Sequence, residues 1–175
     1  KGEQWTVRVT PNDGIADGLA GEARITIDNI PPTLSGLAIA PANNVTNDIT
    51  LTCSVVVTDP DDTLTPAYEW SIGSSVVGSG STLDLAAVGA MPDDVVTCAA
   101  SVVDGNGASA ADSTTAIVLN RAPIVTGAVV TPSTVVTTAT ALTCSATVVD
   151  DDGESPTVAY EWQVGSSAYS GDSLS

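Results

Sequence analysis

One long segment of this chain occurs twice, and this repetition constrains the fold more than any other feature. LTCSVVVTDPDDTLTPAYEW at residues 51–70 returns as LTCSATVVDDDGESPTVAYEW at residues 142–162. Cys53 and Cys144 lie 91 residues apart (144 minus 53), and Asn29 and Asn120 have the same spacing (120 minus 29). A period of this length is too long for a helical solenoid unit and suits a small β-sandwich domain. The sequence therefore predicts that each repeat is a domain.

Proline-containing segments mark the predicted domain boundaries. NIPP spans residues 29–32 and NRAP spans residues 120–123, and proline there stiffens the backbone and prevents a central strand. We expect residues 1–30 to be the C-terminal strands (F and G) of one domain, residues 31–121 a complete domain, and residues 122–175 the first strands (A to E) of a third. A segment of a longer covalent array is the favoured interpretation, and a subunit whose ends exchange strands with identical chains is the alternative.

Alternating apolar residues predict an all-β fold. Runs in which every second residue is apolar indicate strands with one buried face, and turn signals such as DPDD, GSG and DGNG separate them. The expected buried positions of the central repeat are Ile49, Leu51, Cys53, Val55, Val57, Tyr68, Trp70, Ile72, Leu83, Leu85, Val96, Cys98, Ala100 and Val102.

Charge and composition exclude several classes of function. Four basic residues stand against 21 acidic ones, for a formal net charge of −17, so nucleic acid and anionic membranes would be repelled. Histidine is absent, which removes the commonest general base and leaves the serines of GSS and GSGS without an activating group. No apolar run is long enough to span a membrane. We expect a protein that is not an enzyme and does not insert into membrane through this segment.

Cys53, Trp70 and Cys98 occur in the order cysteine, tryptophan, cysteine, which resembles the pattern of immunoglobulin-like domains. YEWSIGS and YEWQVGS are similar to a strand motif of PKD-type domains. The resemblance is to tandem bacterial immunoglobulin-like or PKD-like repeats of extracellular surface proteins, and it implies antiparallel β-sandwiches. It also implies a Cys53–Cys98 disulfide and hence an extracellular or cell-surface location. Two buried thiols in a reducing compartment are the alternative.

The period of 91 residues also makes predictions for the incomplete repeats. The partner of Cys144 should lie near position 189, beyond the given sequence. Val7 occupies the position that matches Cys98, so the first repeat should pack apolar side chains there, with Trp5 nearby.

Acidic loops are the candidate metal sites. In an immunoglobulin-like domain the loops after strands B and F lie at one end, which should face the preceding junction at NIPP. Such carboxylates suit calcium, although ordinary Asp-rich turns have the same composition. No cofactor is required by the sequence, and calcium is the candidate. Its candidate ligands are Asp59, Asp61, Asp62, Asp104, Asp150, Asp151, Asp152 and Glu154.

Two functions remain in competition. A structural stalk, surface fibre or filament has neighbouring repeats or identical chains as its partners. An adhesin or carbohydrate-binding module usually presents exposed aromatic side chains, but Trp5, Trp70 and Trp162 are expected to be buried, which leaves only Tyr169. Asn44 begins a glycosylation sequon, Asn-Val-Thr, in an expected loop, where chance occurrence is the default explanation.

Overall fold

The computed structural model describes residues 1–174 and is nearly all β, as the sequence predicted, with several antiparallel sheets. We distinguish an N-terminal hairpin (residues 4–26), a middle unit (residues 33–117) and a C-terminal unit (residues 124–174). The elements are β1 Gln4–Val9, β2 Gly21–Thr26, β3 Thr33–Ala40, β4 Thr50–Thr58, β5 Ala67–Ile72, β6 Ser75–Ser79, β7 Thr82–Asp84, α1 Leu85–Val88, β8 Val95–Val103, β9 Ser109–Ile117, β10 Ile124–Thr131, β11 Leu142–Val149, β12 Glu161–Val164, β13 Ser167–Ser170 and β14 Ser173–Leu174.

The middle unit contains the buried core. One sheet has the strand order β3-β4-β7 and the other has β6-β5-β8-β9, and side chains from both sheets meet in one apolar cluster. Strand β8 illustrates the alternation, because its even-numbered residues from Val96 to Val102 are all buried. The predicted disulfide is present and joins Cys53 on β4 to Cys98 on β8. It therefore links the two sheets directly beside Trp70, which pairs with Cys98 across β5 and β8.

Leu85 is buried as expected, but it begins a helical turn instead of continuing a strand. The Asp84 carboxylate accepts hydrogen bonds from the main-chain N–H groups of Ala86 and Ala87 and so caps α1. Gly89 ends the turn with a φ of 66°, a conformation that glycine adopts without steric cost. The alternation of Leu83 and Leu85 did not reveal this local cap.

The N-terminal hairpin differs from the sequence expectation. Trp5 is 64% exposed and Val7 is also exposed, so the predicted packing of these side chains in a core was wrong for the described residues. The physical reason is that, within residues 1–174, β1 and β2 form a two-stranded sheet with no second sheet against it. Two strands alone do not enclose a core.

The C-terminal unit consists of a β10-β11-β14 sheet and a β12-β13 hairpin. Its ladder repeats that of the middle unit: Ile39 pairs with Cys53, and Val130 pairs with Cys144. Each residue of the second pair lies 91 positions after its counterpart. Trp162 is only partly buried, short of the burial predicted for it, and Cys144 is a half-buried free cysteine.

No helix within residues 1–174 has the length and apolar character needed to cross a lipid bilayer.

Candidate cation sites at the two junctions

The acidic loops lie at the junctions between units, and Asp turns give them their shape. After β4, the Asp59 carboxylate accepts hydrogen bonds from the N–H groups of Asp61 at 2.8 Å and Asp62 at 3.1 Å. After β11, the Asp150 carboxylate accepts one from the N–H of Asp152 at 2.9 Å. Aspartate commonly stabilises a turn by bonding to the main chain two residues later. Hydrogen bonds within each loop therefore help to set its conformation.

The first junction joins residues 29–30 to the middle unit. The main-chain N–H of Ile30 donates to the Asp61 carboxylate at 2.7 Å, and the Asn29 side-chain amide donates to Asp104 at 2.8 Å. Asp104 is buried and also accepts from the N–H groups of Asn106 and Ala108. The loops after β4 and β8 thus meet at NIPP, where the sequence analysis placed them.

Lys1 supplies a positive charge to the first junction. Its Nζ donates to the Asp62 carboxylate, which raises the pKa of the lysine, and the nearby Asp104 and Asp59 raise it further. The hydrogen bond from Asn29 holds the pKa of Asp104 below its usual value, assisted by the two main-chain donors and by Lys1. Hydrogen bonds and opposite charge both favour the ionised carboxylate.

Three carboxylates of this junction converge. Oxygen atoms of Asp59, Asp62 and Asp104 lie within 4.8 Å of one another. Asp61 lies outside this group and accepts a hydrogen bond from the main chain of Ile30. One oxygen of Asp59 and the Asn29 side-chain oxygen are buried and have no hydrogen-bond partner among residues 1–174. The cluster offers oxygen ligands of the kind that calcium prefers, but the Lys1 ammonium already lies against it.

At the second junction, the Arg121 side chain lies at the centre of the hydrogen-bond network. The Arg121 Nε donates to the buried Asp152 carboxylate at 2.9 Å, and its terminal nitrogens donate to Asp48 at 3.0 Å and to the Asn47 oxygen at 2.9 Å. A further bond reaches the Asp151 carbonyl at 2.6 Å. Because a buried carboxylate is costly without a partner, Arg121 is what permits Asp152 to be buried.

Other groups complete this junction. The Asn47 amide donates to the Asp152 carbonyl at 2.9 Å. The Thr46 hydroxyl lowers the pKa of Asp48 by hydrogen bonding, and Arg121 contributes to the same shift. Oxygens of Asp150, Asp152 and Glu154 also lie within 4.8 Å of one another. Asp151 contributes its main-chain carbonyl to Arg121, and its side chain lies outside this group.

An equivalent main-chain hydrogen bond occurs at both junctions. The N–H of Arg121 donates to the Asp152 carboxylate just as the N–H of Ile30 donates to Asp61, and both donor and acceptor are shifted by 91 residues. The sequence predicted the acidic residues of the junctions, but not the groups that bind them, which belong to Lys1, Asn29, Asn47, Asp48 and Arg121. The scarcity of basic residues was the available signal, because two of the four basic residues lie at junctions.

The remaining candidates lie elsewhere. Asn44 is exposed in the loop before β4, and Tyr169 on β13 is 49% exposed. Comparisons with protein-family models, with curated proteins and with solved structures gave no match for this chain.

Proposed function

We propose that this chain is a structural, non-enzymatic segment of an extracellular tandem-repeat protein that forms a stalk, surface fibre or filament. Its units are immunoglobulin-like domains: residues 1–30 supply the last strands of one, residues 31–121 a whole one, and residues 122–175 the first strands of another. The disulfide favours an oxidising, extracellular environment. The absence of histidine and the charge of −17 favour a role that needs neither acid–base chemistry nor nucleic acid.

The strand pairings support an immunoglobulin-like assignment. Sheets of order β3-β4-β7 and β6-β5-β8-β9 are compatible with a seven-stranded sandwich whose central strands are linked by a disulfide. The hairpin β1–β2 has the register of β8–β9, since Val7 pairs with Ala23 and Cys98 pairs with Thr114. Both residues of the second pair lie 91 positions after those of the first. Equivalent strands at a fixed spacing are expected in a repeat array.

The observation that carries the proposal is the repeated junction bond. In each linker a main-chain N–H, from Ile30 or Arg121, donates to an aspartate of the following unit, Asp61 or Asp152. Bonds from Arg121 to the loop of Asn47 and Asp48 also tie the middle unit to the C-terminal unit. Such contacts restrict the angle between neighbouring units, and a fixed angle is what a load-bearing stalk requires. Short proline-containing linkers act in the same direction.

Replacing Arg121 with methionine is expected to loosen the second junction. The variant keeps an unbranched apolar side chain but removes the guanidinium donors to Asp48, Asn47 and Asp152. Spin labels on cysteines introduced at the exposed Ser113 and Ser167, in a Cys144→Ser background, report the distance between the two units. Pulsed electron resonance in dilute solution should give one narrow distance distribution for the parent and a broad one for Arg121→Met.

Arg24→Met is the matched control, because Arg24 is exposed and its ion pair, with Glu22 at 3.6 Å, lies within the N-terminal hairpin. Its distribution should stay narrow. A broad distribution already present in the parent protein would contradict a stalk with fixed junctions.

The second candidate is a calcium-stiffened or ligand-binding immunoglobulin-like module. The convergence of Asp59, Asp62 and Asp104 favours it, and Lys1 is the competing cation. If calcium binds there, millimolar calcium should raise the melting temperature of Lys1→Gln by a few degrees relative to chelator, and should raise that of the parent less.

Calorimetry with Asp62→Asn in the Lys1→Gln background provides the control, since this change replaces a charged ligand with a neutral amide and should reduce the shift. Identical melting curves for Lys1→Gln in calcium and in chelator would exclude calcium at this junction.

A further inference from the structure

The loop between β8 and β9 contains a dipeptide with its own chemistry. Asn106 and Gly107 form the only Asn-Gly pair in the sequence. The equivalent of Asn106 in the N-terminal hairpin, 91 residues earlier, is Ile15. In both loops the main-chain N–H of this residue donates at 2.9 Å to an aspartate two positions before it, Asp104 or Asp13. The turn therefore does not require the side chain of an asparagine.

The two residues of this dipeptide are open to solvent. Both are exposed, and the side-chain amide of Asn106 has no hydrogen-bond partner within residues 1–174. Gly107 has a φ of 88°, and no atom lies within 4 Å of the position that a Cβ would take there. Its N–H donates to the Asp104 carbonyl at 3.2 Å, which is the long end of the range for such bonds. The side-chain carbonyl and the next main-chain nitrogen are thus adjacent, weakly held and unobstructed.

We propose that Asn106 is a site of spontaneous deamidation. The Gly107 nitrogen attacks the side-chain carbonyl carbon of Asn106, a carbon–nitrogen bond forms there, and the bond to the side-chain nitrogen breaks. That nitrogen leaves as ammonia and carries the proton of the Gly107 amide. Water then opens the cyclic imide at either of its carbonyls, which gives aspartate or isoaspartate. The attack is intramolecular, and glycine has no side chain to hinder it.

The product alters the loop that holds the first junction. Isoaspartate adds one methylene to the main chain between positions 106 and 107, and both products add a negative charge. The N–H groups on either side, of Asn106 and Ala108, donate to the Asp104 carboxylate, and the Asp104 N–H donates to the Ala108 carbonyl at 2.9 Å. A longer main chain cannot keep all three bonds in the same geometry.

Asp104 is also the acceptor for the Asn29 amide, at 2.8 Å. Because that bond links the preceding segment to the middle unit, formation of isoaspartate at position 106 is expected to loosen the first junction as the protein ages. This consequence rests on the proposed function as a stalk with fixed junctions, whereas the reaction itself does not.

Peptide mapping by mass spectrometry tests the reaction. Freshly prepared protein is incubated at physiological temperature, and conversion at each asparagine is followed with time. Asn106 should change to a mixture of aspartate and isoaspartate, faster at higher pH because the attacking nitrogen must lose its proton. Asn44 is the internal control: it is also exposed in a loop, but the branched side chain of Val45 follows it and hinders the attack. An unchanged Asn106, or equal conversion of Asn106 and Asn44, would overturn the proposal.

Spin labels on cysteines at the exposed Glu22 and Ser113, in a Cys144→Ser background, test the consequence for the first junction. Pulsed electron resonance should give a narrow distance distribution for fresh protein and a broader one after incubation. Asn106→Ser, which cannot form the imide, should stay narrow over the same time. Conversion to isoaspartate without broadening would overturn the effect on the junction. A distribution that is broad in fresh protein would contradict the stalk instead, and the peptide map would still decide the reaction.

Discussion

Trp70→Ala is expected to lower the free energy of unfolding of the middle unit by about 3 to 5 kcal/mol, as for other buried tryptophans. Trp70 has no exposed surface, and its indole N–H donates to the Gly80 carbonyl at 2.9 Å. Alanine leaves both a cavity in the core and a carbonyl without its donor. Urea unfolding measures the loss of stability, and hydrogen exchange of the β8 main-chain amides assigns that loss to the middle unit.

Trp162→Ala provides the matched comparison. Trp162 donates the same bond, to Gly171 at 2.9 Å, but it is only partly buried and belongs to another unit. Exchange at β8 should not change in this variant. Trp70→Phe keeps an aromatic ring and should fold with an intermediate stability if Trp70→Ala fails to fold. Equal stability of Trp70→Ala and the parent would contradict a stabilising role for Trp70 in the core of the middle unit.

Removing the disulfide with the double substitution Cys53→Ala and Cys98→Val is expected to cost about 3 to 4 kcal/mol in the chain-entropy model. The bond closes a separation of 45 residues, and its removal increases the freedom of the unfolded chain. Valine is chosen to replace Cys98 because the first repeat has a valine, Val7, at the equivalent position. Equilibrium unfolding in urea should show a lower midpoint and a steeper transition, because the unfolded chain without the disulfide exposes more surface.

Cys144→Ala is the control, because Cys144 is a free thiol with partial exposure. Its effect on the middle unit should be small. Unchanged unfolding of the double variant, or a parent in which three thiols react after unfolding without reductant, would contradict a stabilising disulfide.

Much of the middle unit was predictable because its information is local and periodic. Alternation along β8 predicted the burial of Val96, Cys98, Ala100 and Val102, since a strand has only two faces. The cap at Asp84 was not predicted, because the same residues also fit a continued strand until the tertiary fold places them. The candidate cation sites were predicted in part: the acidic loops meet at the junctions as expected, but the groups that bind them were not anticipated.

The sequence by itself determined the period of 91 residues and the strand alternation, because each depends on spacing within the chain. The resemblance to immunoglobulin-like domains implied the Cys53–Cys98 pair, and the structure contains that disulfide. Only the tertiary structure decided which side chains neutralise the acidic loops, since Lys1 is 61 residues from Asp62 and Arg121 is 31 from Asp152. It also decided that Trp5 is exposed while Trp70 is buried. Burial and ion pairing depend on which surfaces the fold brings together, and strand spacing does not specify those contacts.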